Sequence, residues 1–344
     1  MRITKRSEEF VDFLKGALRP GMRALVALHD NPDPDCIAAG LCMSKILTAA
    51  YGVPCVIAYG GILGRAENRQ MAASCGIPLV RAGTIKKEEF DFIVTVDSQP
   101  GAGNTFVDGR RTVNAVIDHH RRLPTTRAIP WVDIRLKYGA TGTITLEYVL
   151  AHKLDLTAKE ATALFYALKS ETQDLGRESG AADRRAYFFL FSQVDFKLLY
   201  EIVYAELSRD YFRALHHGLQ HARIYNDALV TSLDEIDTPD SVAEAADRLL
   251  RLKGIKWTFV TGRHNDRAYF SIRTSYRDAN AGELIQQVAA DLGKGGGHEM
   301  IAGGRVDLTK IKLDYPQLAE ELAARFLRAL RKRSAGAELL EPEK

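Results

Sequence analysis

Asp118-His119-His120 closes the apolar run Val113-Asn114-Ala115-Val116-Ile117, which reads as a buried strand. A carboxylate and two imidazoles at the carboxyl end of a strand can bind a divalent cation or move a proton. Open α/β sheets collect their chemistry at that edge. Other segments repeat the placement. His29-Asp30-Asn31-Pro32-Asp33-Pro34-Asp35 follows a short apolar run, and its two prolines fix the backbone around His29, Asp33 and Asp35. Asp97 comes directly after Phe92-Ile93-Val94-Thr95-Val96, and Asp174 lies in Glu171-Thr172-Gln173-Asp174-Leu175-Gly176 at a helix end. Any one of these aspartates alone reads as a cap or turn residue. Together they form a mixed imidazole and carboxylate set without thiolate, which favours Mn²⁺, Mg²⁺ or Fe²⁺ over a structural zinc. Two such ions about 3.5–4 Å apart suit phosphoester hydrolysis.

The elements that must position these groups follow from periodicity. Apolar runs at 24–28, 56–59, 92–96 and 113–117 predict strands, and stretches at about 36–50 and 67–75 predict helices ended by Gly52 and Gly76. This alternation predicts a mostly parallel sheet flanked by helices, an α/β fold. From Thr141 to about Arg223 the pattern is nearly all helical, with a capping box at Thr157/Glu160 and a long helix expected over about 196–224. A smaller α/β unit then begins. It has strands at 228–233, 257–261 and 268–273, helices capped at Ser241/Glu244 and Asn280/Glu283, and a last helix over about 317–332. The expected domains are 1–195 (metal-binding and catalytic), 196–224 (helical linker) and 225–334 (substrate-binding), with a polar tail at 335–344.

Bulk properties narrow the class. The 344 residues are 46% hydrophobic and 26% charged, with a net charge of +3. That describes a globular protein able to build sizeable cores, and the charge neither requires nor excludes nucleic acid. No apolar run reaches the length of a membrane span, so no membrane partner is expected. The first residues lack an apolar signal core, and a cytoplasmic location is the default expectation. Cys36, Cys42, Cys55 and Cys75 form no Cys-x-x-Cys pair and read as buried thiols. His216, His217 and His221 have helical spacing without an evident carboxylate and read as a surface feature.

Near the carboxyl end, Gly293-Lys294-Gly295-Gly296-Gly297-His298 offers a backbone that a ligand can approach closely. Gly295, Gly296 and Gly297 would present unobstructed N–H groups to an anion, and His298 a further donor. Arg273, on a predicted strand, is the candidate for a two-pronged phosphate contact. Arg277, Lys294, Asn68 and Arg69 are weaker candidates.

These residues resemble the DHH phosphoesterase superfamily. The likeness rests on His-x-x-x-Asp-x-Asp at 29–35, Asp97 after a strand, Asp118-His119-His120, and Asp174 near Gly176. It continues in Gly295-Gly296-Gly297-His298 followed by Ala302-Gly303-Gly304, which resembles the signature of the DHH-associated domain. Within the superfamily the layout is similar to the oligoribonuclease and 3′-phosphoadenosine-5′-phosphate (pAp) phosphatase type. The resemblance implies two divalent metal ions, Mn²⁺ first and Mg²⁺ second. It implies His29, Asp33 and Asp97 on one ion, and Asp35, Asp97, His119 and Asp174 on the other. Asp118 would orient His119, and His120 would face the substrate phosphate. The implied substrates are short single-stranded RNA, linear dinucleotides or pAp, gripped between the two domains, and the layout leaves room for a homodimer. Where the family often has Thr-Asp-Thr-Gly, this chain has Gln173-Asp174-Leu175-Gly176. The alternatives are a cyclic-dinucleotide phosphodiesterase or a single-strand exonuclease and, from a different class, a non-catalytic nucleotide-binding module.

Overall fold

The computed structural model describes residues 1–107, 113–332 and 337–338, and the chain divides into two units, Met1–Ala205 and Glu206–Lys344. The first contains α1 (Lys5–Ala17), β1 (Ala24–Ala27), α2 (Pro34–Lys45), β2 (Cys55–Tyr59), α3 (Ala66–Cys75), β3 (Leu79–Arg81), β4 (Phe92–Val96), β5 (Ala115–Asp118), β6 (Trp131–Ile134), α4 (Thr141–Ala151), α5 (Ala158–Glu171), α6 (Ala181–Phe191) and α7 (Phe196–Val203). Its six strands form one parallel sheet in the order β3-β2-β1-β4-β5-β6. Both faces are covered. Val26, Leu28, Val94 and Val96 pack into the larger core with residues of α2, α4 and α5, while Leu25, Ala27, Ile93 and Val116 pack into a second one. Burial on both faces is why these strands read as continuous apolar runs.

The chain builds outward from β1 through β2 to β3, then returns to lay β4 on the other side of β1. The strand order therefore reverses between β1 and β4, and an open sheet leaves a crevice beyond the carboxyl ends of such a pair. His29 and Asp97 follow those two strands.

The second unit comprises α8 (Arg209–Gln220), β7 (Arg223–Tyr225), β8 (Ala228–Glu235), α9 (Asp240–Leu249), β9 (Trp257–His264), β10 (Arg267–Thr274), α10 (Ala281–Ala289), β11 (Lys294–His298), β12 (Ile301–Asp307), α11 (Tyr315–Ala329) and β13 (Ala337–Glu338). Its sheet runs β11-β12-β10-β9-β8-β7-β13, with β8 and β9 parallel and the other pairs antiparallel. α10 and α11 bury Ile285, Val288, Leu322 and Phe326 against Phe259 and Phe270.

Two expectations change. The single helix over 196–224 is two helices and a strand; Leu198, Leu199 and Ile202 of α7 belong to the first unit's core, and the division falls after Ala205. Ser241 does not cap its helix, because α9 already begins at Asp240. Its hydroxyl instead donates to Asp237 Oδ1. The glycine run belongs to an edge strand, β11. The Thr157/Glu160 capping box and the Asn280 cap form as the spacing predicts. Most of the expected polar tail lies outside the described residues.

Candidate metal centre

Sequence-local rules place each group. Asp33 caps α2, with Oδ1 accepting the N–H of Cys36 at 2.9 Å, and Pro34 sits at the first helical position, where it needs no N–H partner. The cap delivers Asp35 into the first turn, buried at 1% exposure. There Oδ2 accepts the N–H of Thr141 at 2.7 Å and Oδ1 that of Gly142 at 2.8 Å. Asp35 thus meets the N-terminus of α4, where a carboxylate is favoured. Gly142 is required, because a Cβ there would lie 2.9 Å from Asp35 Oδ1. Asp97 is held with φ of 53°, a left-handed conformation uncommon outside glycine, while its N–H bonds Ile117 O at 2.9 Å. That turn sets its carboxylate at the sheet edge, where Oδ1 accepts from Thr141 Oγ1 at 2.8 Å.

Two histidines face Asp97 from its two oxygens. His29 Nε2 lies 3.6 Å from Oδ2 and His119 Nε2 lies 3.5 Å from Oδ1. Each ring is anchored by its other nitrogen: His29 Nδ1 is 2.9 Å from Asp30 O, and His119 Nδ1 is 3.1 Å from Tyr138 O. A carbonyl accepts from each Nδ1, so Nε2 is the ring nitrogen that each histidine turns toward Asp97. Asp33 Oδ2 stands 3.7 Å from His29 Nε2. The ligating atoms of His29, Cys36 and Asp97 lie within 4.8 Å of one another, as do those of Asp97, His119 and His120. Cys36 stays a thiol, pushed up to about 12 by burial.

Asp118 organises its neighbours. Its Oδ1 accepts the N–H of His119 at 2.7 Å, that of His120 at 3.1 Å, and His120 Nδ1 at 2.9 Å. Its Oδ2 accepts from Gln99 Nε2 at 2.7 Å. His120 is raised to about 10: desolvation works against its charge, and Asp118 and Asp97 outweigh it. Its side chain is 46% exposed, whereas that of His119 is 9% exposed.

Asp174 does not join this group. Its side chain is 57% exposed, and Lys169 Nζ donates to both its oxygens at 2.6 and 2.7 Å. The cause is local: α5 ends at Glu171, and Gln173, Asp174 and Leu175 all take left-handed φ of 48°, 57° and 65°, swinging Asp174 outward. Glu171 occupies the inner position. Burial pushes its carboxyl up to about 7, and the charges of Asp33 and Asp97 add to the effect. The sequence carried a signal for this, since Glu171 continues the spacing of buried Leu164 and Leu168 on α5, and Asp174 falls beyond the helix. Burial, then the charges of Asp97, Asp33 and Glu171, likewise hold Asp35 well above its ordinary range. Thr141, Gly142 and Gln99 also escaped sequence reading.

The segment 135–142 that supplies Tyr138 O, Thr141 and Gly142 is itself tied down. Glu147, buried on α4, accepts from Thr4 Oγ1, Ser7 Oγ, Arg135 Nη1 and Tyr138 OH, each at 2.8 Å. Arg135 also bonds Asp133, with Nη2 2.7 Å from Oδ2.

The residues fit divalent cations. Asp35, Asp97 and Glu171 crowd so closely that each carboxyl is pushed above its ordinary value, and His119 Nε2 is buried with no hydrogen-bond partner among the described residues. Such an orphaned nitrogen is uncommon and costly unless a cation completes it.

In the second unit, Gly295, Gly296 and Gly297 pair with Gly304, Gly303 and Ala302, so the two glycine runs are partners in one ladder. Their roles separate. A Cβ at Gly295 would press on Ile285, and one at Gly297 would overlap Ile301 O and Ala302, whereas Gly296 has open space around it. Gly303, paired with Gly296, meets nothing nearer than 3.8 Å. The pair leaves a patch of bare backbone. His298 ends β11, and its side chain lies outside the described residues. Arg273, expected to meet a phosphate, is 7% exposed and turned inward: Nε donates to Asp247 Oδ1 at 2.7 Å, and Nη1 to Ser271 Oγ at 2.6 Å and Ile272 O at 3.0 Å. Its guanidinium holds the sheet to α9.

Residues 23–168 match the DHH family N-terminal domain, and residues 226–332 match the DHHA1 domain. The chain belongs to the DHH phosphoesterase superfamily, with a DHH domain followed by a DHHA1 domain. It is 31% identical over 285 residues to an uncharacterized protein of Methanocaldococcus jannaschii; that match covers 83% of this chain and 58% of the relative. An exopolyphosphatase-related protein from Bacteroides fragilis superposes with a TM-score of 0.71 at 15% identity, covering 95% of this chain and 97% of that one. RecJ from Thermus thermophilus, solved in complex with Mn²⁺, gives 0.54 at 15% identity, covering 95% of this chain and 55% of that one. At these identities the structural likeness is one of fold. No helix among the described residues is long and apolar enough to cross a membrane.

Proposed function

We propose that this protein is a divalent-metal-dependent phosphoesterase that hydrolyses phosphoester bonds in short nucleotides. The observation that carries the reading is Asp97, a buried carboxylate whose two oxygens each face the Nε2 of a different, backbone-anchored histidine. One carboxylate addressed from both sides is suited to bridging two cations. His29, Asp33 and Asp97 would hold one ion, and Asp35, Asp97, His119 and Glu171 the other, with Mn²⁺ preferred by this donor set and Mg²⁺ the alternative. When bound, such a pair supplies an acidified water and neutralises phosphoryl charge.

The chain's own groups do the rest. Thr141 fixes one Asp97 oxygen, and the α4 N-terminus fixes Asp35, so these groups need no rearrangement during reaction. Asp118 holds a proton on His120 Nδ1. Being the more exposed histidine, His120 is placed to meet a substrate phosphate as a hydrogen-bond donor. The bare Gly296/Gly303 backbone would accept a nucleotide without side-chain conflict.

The test is metal-stripped protein supplied with Mn²⁺ and assayed against pApA, pAp, cyclic di-AMP, a five-nucleotide RNA and pyrophosphate. Turnover of at least one short nucleotide is expected, falling to background in Asp97→Ala. Pyrophosphate as the sole substrate cleaved, or full activity in Asp97→Ala, refutes the reading. Cleavage of cyclic di-AMP ahead of the linear compounds would move the assignment to a cyclic-dinucleotide phosphodiesterase.

A further inference from the structure

Three histidines crowd the last turn of α8, in the second unit. His216 and His221 are exposed, and His217 is half-buried. His217 and His221 stand four residues apart and so share one face of the helix end. Their rings stack, with centroids 4.1 Å apart and planes 26° from parallel. The carbonyl of His217 accepts from His221 Nδ1 at 2.8 Å, so Nε2 is the nitrogen that His221 has to offer. That bond alone would make His221 a cap for the helix end. It does not account for the His217 ring laid flat against it.

The turn that carries the pair is seated firmly on β8. Thr231 Oγ1 donates to Gly218 O, and a Cβ at Gly218 would lie 2.5 Å from Leu233 Cδ2. The residue after Leu233 is Asp234, which is exposed and whose charge acts on His217. α8 has no acidic residue within a turn of the pair, so the neighbouring strand supplies the carboxylate. Two imidazoles one helical turn apart can chelate a cation. With metal–nitrogen bonds of about 2.0–2.1 Å, two ligand nitrogens of a tetrahedral site lie about 3.3 Å apart. Rings stacked at 4.1 Å come to that spacing by a small rotation of their side chains. Imidazole nitrogen suits Zn²⁺, Ni²⁺ or Cu²⁺, whereas the carboxylate-rich set of the first unit suits Mn²⁺ or Mg²⁺.

We infer that His217 and His221, with Asp234 as third ligand, form a second kind of metal site, one that takes a late first-row divalent cation, Zn²⁺ foremost. Solvent completes the shell, and the ion ties the end of α8 to β8. The inference is independent of the catalytic reading. Metal-stripped full-length protein is equilibrated by dialysis with Zn²⁺ and, separately, titrated with Mn²⁺. The double variant His217→Ala/His221→Ala should take up one Zn²⁺ fewer per chain than wild type and bind Mn²⁺ with an unchanged isotherm. Asp234→Asn should weaken that Zn²⁺ by about 10-fold or more, the least expected when a group bearing on a metal is altered. His216→Ala, off the shared face, should match wild type. A double variant with the wild-type Zn²⁺ count overturns the inference. So does a site that fills only near about 1 mM free Zn²⁺, the weak end of specific binding. Loss of the same ion in His216→Ala, or a fall in Mn²⁺ affinity alongside the Zn²⁺ count, overturns it equally.

Discussion

The two sheets present opposite kinds of edge. The first ends its central strands in charged side chains packed so closely that burial and mutual repulsion lift Asp35, Asp97 and Glu171 above their ordinary range. The second ends in a ladder from which side chains have been removed, with Gly295, Gly296 and Gly297 set against Gly304, Gly303 and Ala302. Fixing a cation demands side chains of defined chemistry, each held by a neighbour. Admitting a ligand against a sheet edge demands room and regular N–H groups. Parallel strands buried on both faces serve the first need, and a glycine-rich antiparallel edge serves the second.

The comparison is sharpest at the end of α5. Glu171→Gln should cost most of the Mn²⁺ affinity and nearly all activity, while Asp174→Asn leaves both near wild type. Calorimetric titration of the metal-stripped variants with Mn²⁺ checks this, and equal loss in the two would return Asp174 to the centre. Next, Gly142→Ala pushes a methyl against Asp35 and should weaken Mn²⁺ binding about 10–100-fold, the usual effect of disturbing a ligand's support. An unchanged isotherm would mean that Asp35 does not bear on the metal.

Glu147 tests whether the scaffold behind His119 matters for stability. Desolvation disfavours its charge, but the bonds from Arg135, Tyr138 and Ser7 prevail and hold its carboxyl below the ordinary 4.5. A depressed carboxyl contributes stability that is complete above its unfolded value and disappears as pH falls through the folded one. Glu147→Gln should therefore lose about 3 kcal/mol at neutral pH, as when one partner of a buried pair is removed. The gap to wild type in denaturant melts should close as the pH drops below 4.5. A gap constant with pH would exclude the charged network as its source.

The smallest effect is expected at the glycine ladder. Gly296→Val should leave the melting temperature within the range of a neutral surface change, about 0.5 kcal/mol, yet raise KM for a short nucleotide. Gly304→Ala, whose Cβ would overlap the Phe270 ring, should destabilise the unit. An unaltered KM in Gly296→Val would remove the ladder's open face from the proposed substrate path.

Much of this was legible beforehand. Strands buried on both faces announce themselves as apolar runs, and the residues ending them, His29, Asp97 and Asp118, could be placed without coordinates. β3 and β6 could not: the first has three residues, and the second alternates buried and half-buried positions behind Pro130. Asp174 was misplaced because proximity to Gly176 outweighed helical phase, although Leu164 and Leu168 point to Glu171. Arg273 misled because an arginine on a strand looks the same in sequence whether it reaches a ligand or Asp247. The supporting bonds from Thr141, Gly142 and Tyr138 join residues distant along the chain, and no local pattern reports them.

His29 and His119 are each tethered through Nδ1 to a main-chain carbonyl that folding has already fixed. The loss of ring freedom is therefore incurred when the chain folds and not when an ion arrives. Capture of a cation would then be timed by how fast the ion sheds its own hydration water, and a slowly dehydrating metal would load slowly even where its equilibrium affinity is high.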